Sequence, residues 1–300
     1  MGSVATRPGR SPALLKSSKD SLTSVVPSPR EALQPFSAVV VTGGSSGIGK
    51  SIIRLGRTVR PDLVFCNLSR RPPVLNISPN AGKYLNHFPC DLSVPEELIR
   101  AAAAVRALLE RDVPTGRILL INNSGIGTFG PFPKANLDRE LAMIDLNVRG
   151  VVQLTGLLLP LLQARGGAII NLASTVAFQP TPFAATYGAS KAFILHWTIA
   201  LNEELRGTNV HALAVCPGTT STEFFRNAAV GDAAAESALT MTPDDVAEAT
   251  LRALGAGRSQ IVPGLANKLY TFFGSKLPKA LGARVAGAVL GRRWRRQAQS

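Results

Sequence analysis

Acidic side chains are missing from the end of this chain: from Ala249 to Ser300 there are ten basic residues and no Asp or Glu. Of the formal net charge of +14, this stretch supplies +10 and residues 1–35 supply +3, which leaves about +1 for residues 36–248. A nucleic-acid-binding domain carries its basic patch on the folded body, so a body this close to neutral argues against nucleic acid as a partner. Cysteine is scarce as well. Cys66, Cys90 and Cys216 form no CxxC pair and sit at or near the ends of apolar stretches, as buried reduced thiols do. The histidines (His87, His196, His211) are scattered, so the grouped ligands of a metal site are lacking and no metal is expected. No run of about 18 apolar residues suggests a membrane-spanning helix, and the start lacks a signal-peptide core. A cytoplasmic protein is the expectation, although the Arg/Ser-rich start also has the look of a transit peptide and Met1-Gly2 with Thr6 loosely fits an acylation signal.

What is present is a globular composition, 45% hydrophobic and 17% charged. From Ser37 short apolar runs alternate with helical patterns. Strands are predicted at Ala38–Thr42, Leu63–Leu68, His87–Cys90, Ile118–Asn122, Ala168–Ala173, Val210–Cys216 and Gln260–Val262. Runs such as AVVVT and ILLIN lack apolar/polar alternation, as strands covered on both faces do. Helices are predicted at Gly47–Thr58, Pro95–Glu110, Leu137–Gln163, Ala185–Leu205 and Pro243–Leu254. The alternation implies an α/β fold, a Rossmann-type doubly wound and mostly parallel sheet of about seven strands in a single domain. Residues 1–35 read as a disordered extension, 36–262 as the nucleotide-binding catalytic domain, and 263–300 as a basic amphipathic, helical extension.

The first strand runs into Thr42-Gly43-Gly44-Ser45-Ser46-Gly47-Ile48-Gly49 and then a helix. Glycines there let the backbone approach a pyrophosphate over a helix N-terminus. Alone, the cluster could be an ordinary turn. Together with Asn122-Asn123-Ser124-Gly125, it resembles the short-chain dehydrogenase/reductase family, whose patterns are TGxxxGxG and NNAG; Ser124 replaces the alanine. The resemblance covers residues 37–262 in order. It implies that Gly43, Ser45, Ser46, Gly47, Ile48 and Gly49 cradle a nicotinamide dinucleotide, that Asp91 and Leu92 hold its adenine, and that Asn123, with Ser124 and Gly125, lies on its adenosine side.

Cofactor choice is read at the end of the second strand, Asn67-Leu68-Ser69-Arg70-Arg71. Ser69 stands where relatives that use NAD have Asp, and Arg70 can grip a 2′-phosphate. NADP(H) is expected, against the alternative of a solvated basic loop.

Tyr187-Gly188-Ala189-Ser190-Lys191 places a phenol and an ammonium on one helical face. A nearby cation lowers a phenol pKa by ~1–3 units, which would suit Tyr187 to general acid–base work. By resemblance, Ser174 binds the substrate oxygen, Asn147 holds a relay water beside Lys191, Pro217 and Gly218 meet the nicotinamide carboxamide, and Thr222 reaches phosphate. Ser174 could instead be a helix cap and Asn147 a local backbone partner. Glu223–Ala238 would be a substrate-side flap or a passive loop. The reading is an NADP(H)-dependent oxidoreductase acting on a carbonyl or secondary alcohol, and the resembled family commonly forms homo-oligomers, dimers or tetramers; the alternative is a cofactor-binding scaffold without turnover.

Leu277, Leu281, Val285 and Val289 recur every fourth residue, and the stretch ends in Arg292-Arg293-Trp294-Arg295-Arg296. Such a helix either packs its stripe over the cleft or a partner subunit, ending in a solvated basic tail, or lies with its terminal Trp at an anionic membrane.

Overall fold

Strand β1 (Phe36–Thr42) shows why the apolar runs are continuous. Val39 and Val41 face one layer of helices, Ala38 and Val40 the other, and all four are fully buried. Strand β4 (Arg117–Asn122) lies parallel beside β1, with Val39 opposite Leu119 and Val41 opposite Ile121. With both faces covered, each such side chain contributes ~1.5–3 kcal/mol relative to exposure.

The protein is described from a computed structural model, which covers residues 26–75, 84–221 and 240–297. Strands β2 (Val64–Ser69), β3 (Leu85–Pro89), β5 (Gly167–Leu172), β6 (Val210–Val215) and β7 (Gln260–Ile261) complete a parallel sheet ordered β3-β2-β1-β4-β5-β6-β7. All seven expected strands are present, displaced by no more than two residues at any end. Helices α1 (Pro29–Leu33), α2 (Gly47–Val59) and α7 (Pro243–Gly255) cover one face. On the other lie α3 (Pro95–Asp112), α5 (Gly150–Arg165) and α6 (Ala185–Glu204). Winding runs outward from β1 to β3, then returns to β4 beside β1. The carboxyl ends of β1 and β4 therefore flank the crevice where such sheets bind ligands.

Three features go beyond the sequence pattern. The N-terminal extension was expected to be disordered through residue 35, but α1 belongs to the body: Ala32 and Leu33 are buried, and Ser28 and Glu31 form a reciprocal capping box. Residues 1–25 lie outside the described part. The single helix expected over Leu137–Gln163 is α4 (Leu137–Ile144), a π turn (Asp145–Arg149) and α5 in one run. By length and mean hydropathy this run could cross a membrane; here one side of α5 packs Leu154, Leu158 and Leu162 on the sheet.

The third concerns the tail, which forms α8 (Leu265–Lys276) and α9 (Lys279–Gln297). The apolar stripe does not pack on the fold. Leu277, Leu281, Val285 and Val289 are 38–61% exposed. The opposite side of α9 meets the body instead: Gly287 faces Pro182, Gly291 faces Phe183, and Trp294 lies against Gly130 with its ring 6.2 Å from that of Phe129. Trp294 is thus an anchor to the protein rather than an outward-facing residue, because only the glycine side of α9 lets the two backbones approach.

Candidate active site

A cavity of about 490 Å³ runs along the carboxyl ends of the strands and gathers most of the residues singled out in the sequence. Gly43, Ser45, Ser46, Gly47, Ile48, Ser69, Arg70, Asp91, Leu92, Asn123, Ser124 and Gly125 line it, as do Ser174, Tyr187, Lys191, Pro217 and Gly218. Gly49 and Asn147 support the wall from behind. Thr222 and the expected flap lie outside the described residues.

At one end, Gly43 and Gly47 have φ of +69° and +54°, which L side chains rarely adopt. A Cβ at Gly43 would stand 2.6 Å from the Ser124 hydroxyl. The turn is held by groups within the protein. The Asn123 amide donates to the carbonyls of Thr42 (2.9 Å) and Gly43 (3.2 Å), while the Thr42 hydroxyl accepts from the backbone of Asn123 and Ser124. Ser124 therefore fits where the family has alanine, and Asn123 serves the turn itself. Asn67, which sequence reasoning passed over, accepts from the Gly44 N–H at 2.8 Å and donates to the Ser69 hydroxyl at 2.8 Å. A fully buried Asn in an otherwise apolar strand was the available signal. The result is an open glycine cradle at the N-terminus of α2, which fits a dinucleotide's phosphates.

Beside the cradle, the Arg70 guanidinium is 75% exposed and 3.8 Å from the Asp91 carboxylate. Burial pushes the Asp91 carboxyl up, but hydrogen bonds from the Ser93 hydroxyl and N–H and the charge of Arg70 outweigh it, so the group lies below its ordinary value and stays ionised.

At the far end stand Ser174, Tyr187 and Lys191. Ser174 begins a 3-10 turn after β5, its hydroxyl accepting weakly from the Val176 N–H (3.4 Å) and hydrogen-bonded to Tyr187. The Lys191 ammonium is buried, donates to the Leu172 carbonyl at 2.7 Å and lies 5.9 Å from the centre of the Tyr187 ring. The lowering of the phenol by Lys191 expected from spacing is not what the site gives. Burial pushes Tyr187 up to about 12, with the Ser174 hydrogen bond pulling the other way, and burial pushes Lys191 down to about 8. Desolvation penalises both charged forms. Cys216, near Lys191, is pushed up to about 12 by burial and stays neutral, so it gives the ammonium no anion.

Asn147 is placed by the π turn and buried. Its amide accepts from the Ile126 N–H (3.0 Å), donates to the Ile126 carbonyl (2.9 Å) and reaches the Ser190 hydroxyl (3.1 Å). It thereby fixes the loop after Gly125. A Cβ on Gly125 would lie 3.1 Å from Asn147 Oδ1 and 3.3 Å from Lys191 Nζ. Gly125→Ala is therefore expected to shift Lys191 and lower kcat by about tenfold, while costing only about 1 kcal/mol of stability. Parallel steady-state kinetics and thermal melts check this; unchanged kcat would mean that Lys191 tolerates the crowding. Asn267, on α8, touches Gly218 from outside the cavity and donates to the Pro263 carbonyl. Nothing in the sequence pattern marked it. Among the described residues no His/Cys/Asp/Glu cluster could hold a metal ion.

A glycine cradle at the switch point of a parallel sheet defines a Rossmann-type dinucleotide-binding protein, and the comparisons narrow the class. Residues 37–232 match the short chain dehydrogenase family. The ketoacyl reductase HetN of Nostoc sp. is 31% identical over 75% of this chain and 77% of its own length. Sulfoacetaldehyde reductase 2 of Chromohalobacter salexigens is 31% identical over 75% of this chain and 93% of its own. Among solved structures, a short-chain dehydrogenase from Sphingobium yanoikuyae in complex with NADPH superimposes with a TM-score of 0.64 at 27% identity, covering 81% of this chain and 97% of that one. Another structure of this fold holds NAD. The chain belongs to the short-chain dehydrogenase/reductase family. It is an oxidoreductase that transfers hydride with a nicotinamide cofactor.

Proposed function

We propose that the protein reduces a carbonyl compound, or oxidises the matching secondary alcohol, with NADP(H), and that Tyr187 is the general acid/base. The carrying observation is one cavity with Arg70 beside the glycine cradle at one end and Ser174, Tyr187 and Lys191 converging at the other.

Gly43, Ser45, Ser46, Gly47, Ile48 and Gly49 would hold the pyrophosphate, Arg70 with Ser69 the 2′-phosphate, Asp91 and Leu92 the adenine. Pro217 and Gly218 would stand beside the nicotinamide, and Asn123, with Ser124 and Gly125, along the adenosine side. When bound, the cofactor supplies or takes the hydride. Ser174 orients the carbonyl oxygen through its hydroxyl and stabilises the charge that develops there. Tyr187, its phenol pushed up to about 12, is protonated near neutrality and able to donate to that oxygen. Lys191 supplies positive charge below the phenol, and Asn147 keeps the adjoining loop in place.

The test is a panel of carbonyl compounds followed by loss of NADPH absorbance, with NADH alongside. Turnover that prefers NADPH supports the reading. Coenzyme binding without turnover across a broad panel would favour a non-catalytic scaffold.

A pH dependence follows. Lys191, held down to about 8, carries its proton below that pH and loses it above. Because kcat/KM reports ionisations of the free enzyme, reduction should be level up to about pH 8 and then fall tenfold per unit. Lys191→Arg, charged throughout, should abolish the step at whatever lower rate it retains. A step that persists in Lys191→Arg would belong to another group.

A further inference from the structure

The helix α8 is amphipathic in the reverse of the usual sense. Its polar side chains Asn267 and Thr271 are buried against the body, whereas Leu265 (73% exposed), Leu269 (52%), Phe272 (58%) and Phe273 (64%) face outward. Leu277, just after α8, and Leu281, Val285 and Val289 along α9 are exposed as well. On the same outward arc of α9 the apolar positions give way, one turn further on, to Arg292, Arg295 and Arg296, all exposed. Lys268 and Lys276 are exposed alongside, and no acidic residue follows Glu248 in the chain.

An exposed apolar face of this kind on a protein surface marks a docking site, and the charge beside it selects the occupant. A second copy would set one basic rim against another. The N-terminal residues 1–25, with Arg7, Arg10, Lys16 and Lys19 against one acid, Asp20, carry the same sign. An anionic lipid surface is complementary in both respects: the Phe and Leu side chains enter the acyl boundary while the guanidinium and ammonium groups meet the headgroups. The helices are already anchored on the other side, through Trp294 on Phe129, the Gln179–Tyr270 hydrogen bond and Lys279 on the Phe178 carbonyl (3.1 Å), so a rigid face is presented.

We propose that α8 and α9 form a docking face for an anionic bilayer, on which the protein sits as a peripheral, non-spanning enzyme. The loops that hold α8 and α9, Thr175–Phe183 and Phe129–Gly130, adjoin the wall of the cavity at Val176 and Ile126, so docking would bring the cavity close to the lipid surface.

The full-length protein is mixed with vesicles of phosphatidylcholine alone, or of equimolar phosphatidylcholine and phosphatidylserine, and sedimented. Binding is expected only to the anionic vesicles and should weaken as salt is raised. Arg292→Ser/Arg295→Ser/Arg296→Ser should weaken it about 100-fold, and Phe272→Ser/Phe273→Ser should abolish it. Both variants change exposed side chains and should melt as the parent does. Sedimentation needs no turnover, so this result and that of the reductase assay are independent. The proposal is overturned if the parent does not bind anionic vesicles, or if either variant binds as the parent does. It is also overturned if Phe272→Ser/Phe273→Ser converts an oligomer to a monomer, which would give the face to a second copy. Binding of polyglutamate that competes with vesicles and is indifferent to Phe272 and Phe273 would give it to an acidic protein.

Discussion

Tyr187→Phe is expected to lower turnover by ~10²–10⁴-fold, the usual worth of a positioned proton donor, while coenzyme still binds. The substitution removes one oxygen and leaves the ring, which still lies over the Lys191 ammonium. Ser174 loses its partner at the phenol and keeps the Val176 N–H, so the local backbone should hold. Coenzyme affinity, read by quenching of protein fluorescence, should stay within about threefold, since the cradle at Gly43 and Gly47 is untouched. Single-turnover oxidation of NADPH then isolates the chemical step. A Phe variant turning over as fast as the parent would remove Tyr187 from the mechanism; a variant that no longer bound coenzyme would make the phenol a structural group.

The sheet was legible because it is buried on both faces: a strand such as ILLIN has no solvent side, so its composition alone marks it. The cradle and the Tyr187–Lys191 pair were legible because each is local, a turn in one case and two positions one helical turn apart in the other. What failed was non-local. A stripe repeating every fourth residue shows that α9 has two unlike faces, and it does not say which one the protein uses; that was settled by Gly287 and Gly291, which let α9 approach Pro182 and Phe183 closely. The phenol was misjudged for the same reason, because spacing puts a cation near Tyr187 but burial is a property of the packed site. Helix α1 was missed although Ser28-Pro29-Arg30-Glu31 carries a capping box. The Ser, Pro and Arg around it read as disorder, and contact with α7 and α2 made five residues worth ordering.

Arg70→Ala/Arg71→Ala is expected to weaken NADPH by about 10- to 100-fold and leave NADH within about threefold. Charge-assisted hydrogen bonds contribute ~1.5–3 kcal/mol, and every ~1.4 kcal/mol is tenfold in affinity. The lower end applies to Arg70 alone, since its side chain is 75% exposed and solvent screens it. Ser69 fits the same choice. Its hydroxyl accepts from Asn67 and donates to the Arg71 carbonyl at 2.7 Å, so that strand end offers no carboxylate to repel a phosphate. Asp91, 3.8 Å from Arg70, is the nearby acid, and its ionised carboxylate would face less positive charge once the guanidinium is gone. That residual charge repels the 2′-phosphate and not the 2′-hydroxyl, which widens the gap between the two coenzymes in the variant. Binding should be measured for both over a salt series, because a guanidinium–phosphate contact weakens with ionic strength more than a hydroxyl contact does. Equal loss for NADPH and NADH would make the arginines supports of the loop rather than readers of the phosphate. A parent enzyme that already binds NADH as tightly as NADPH would return the choice of cofactor to NAD.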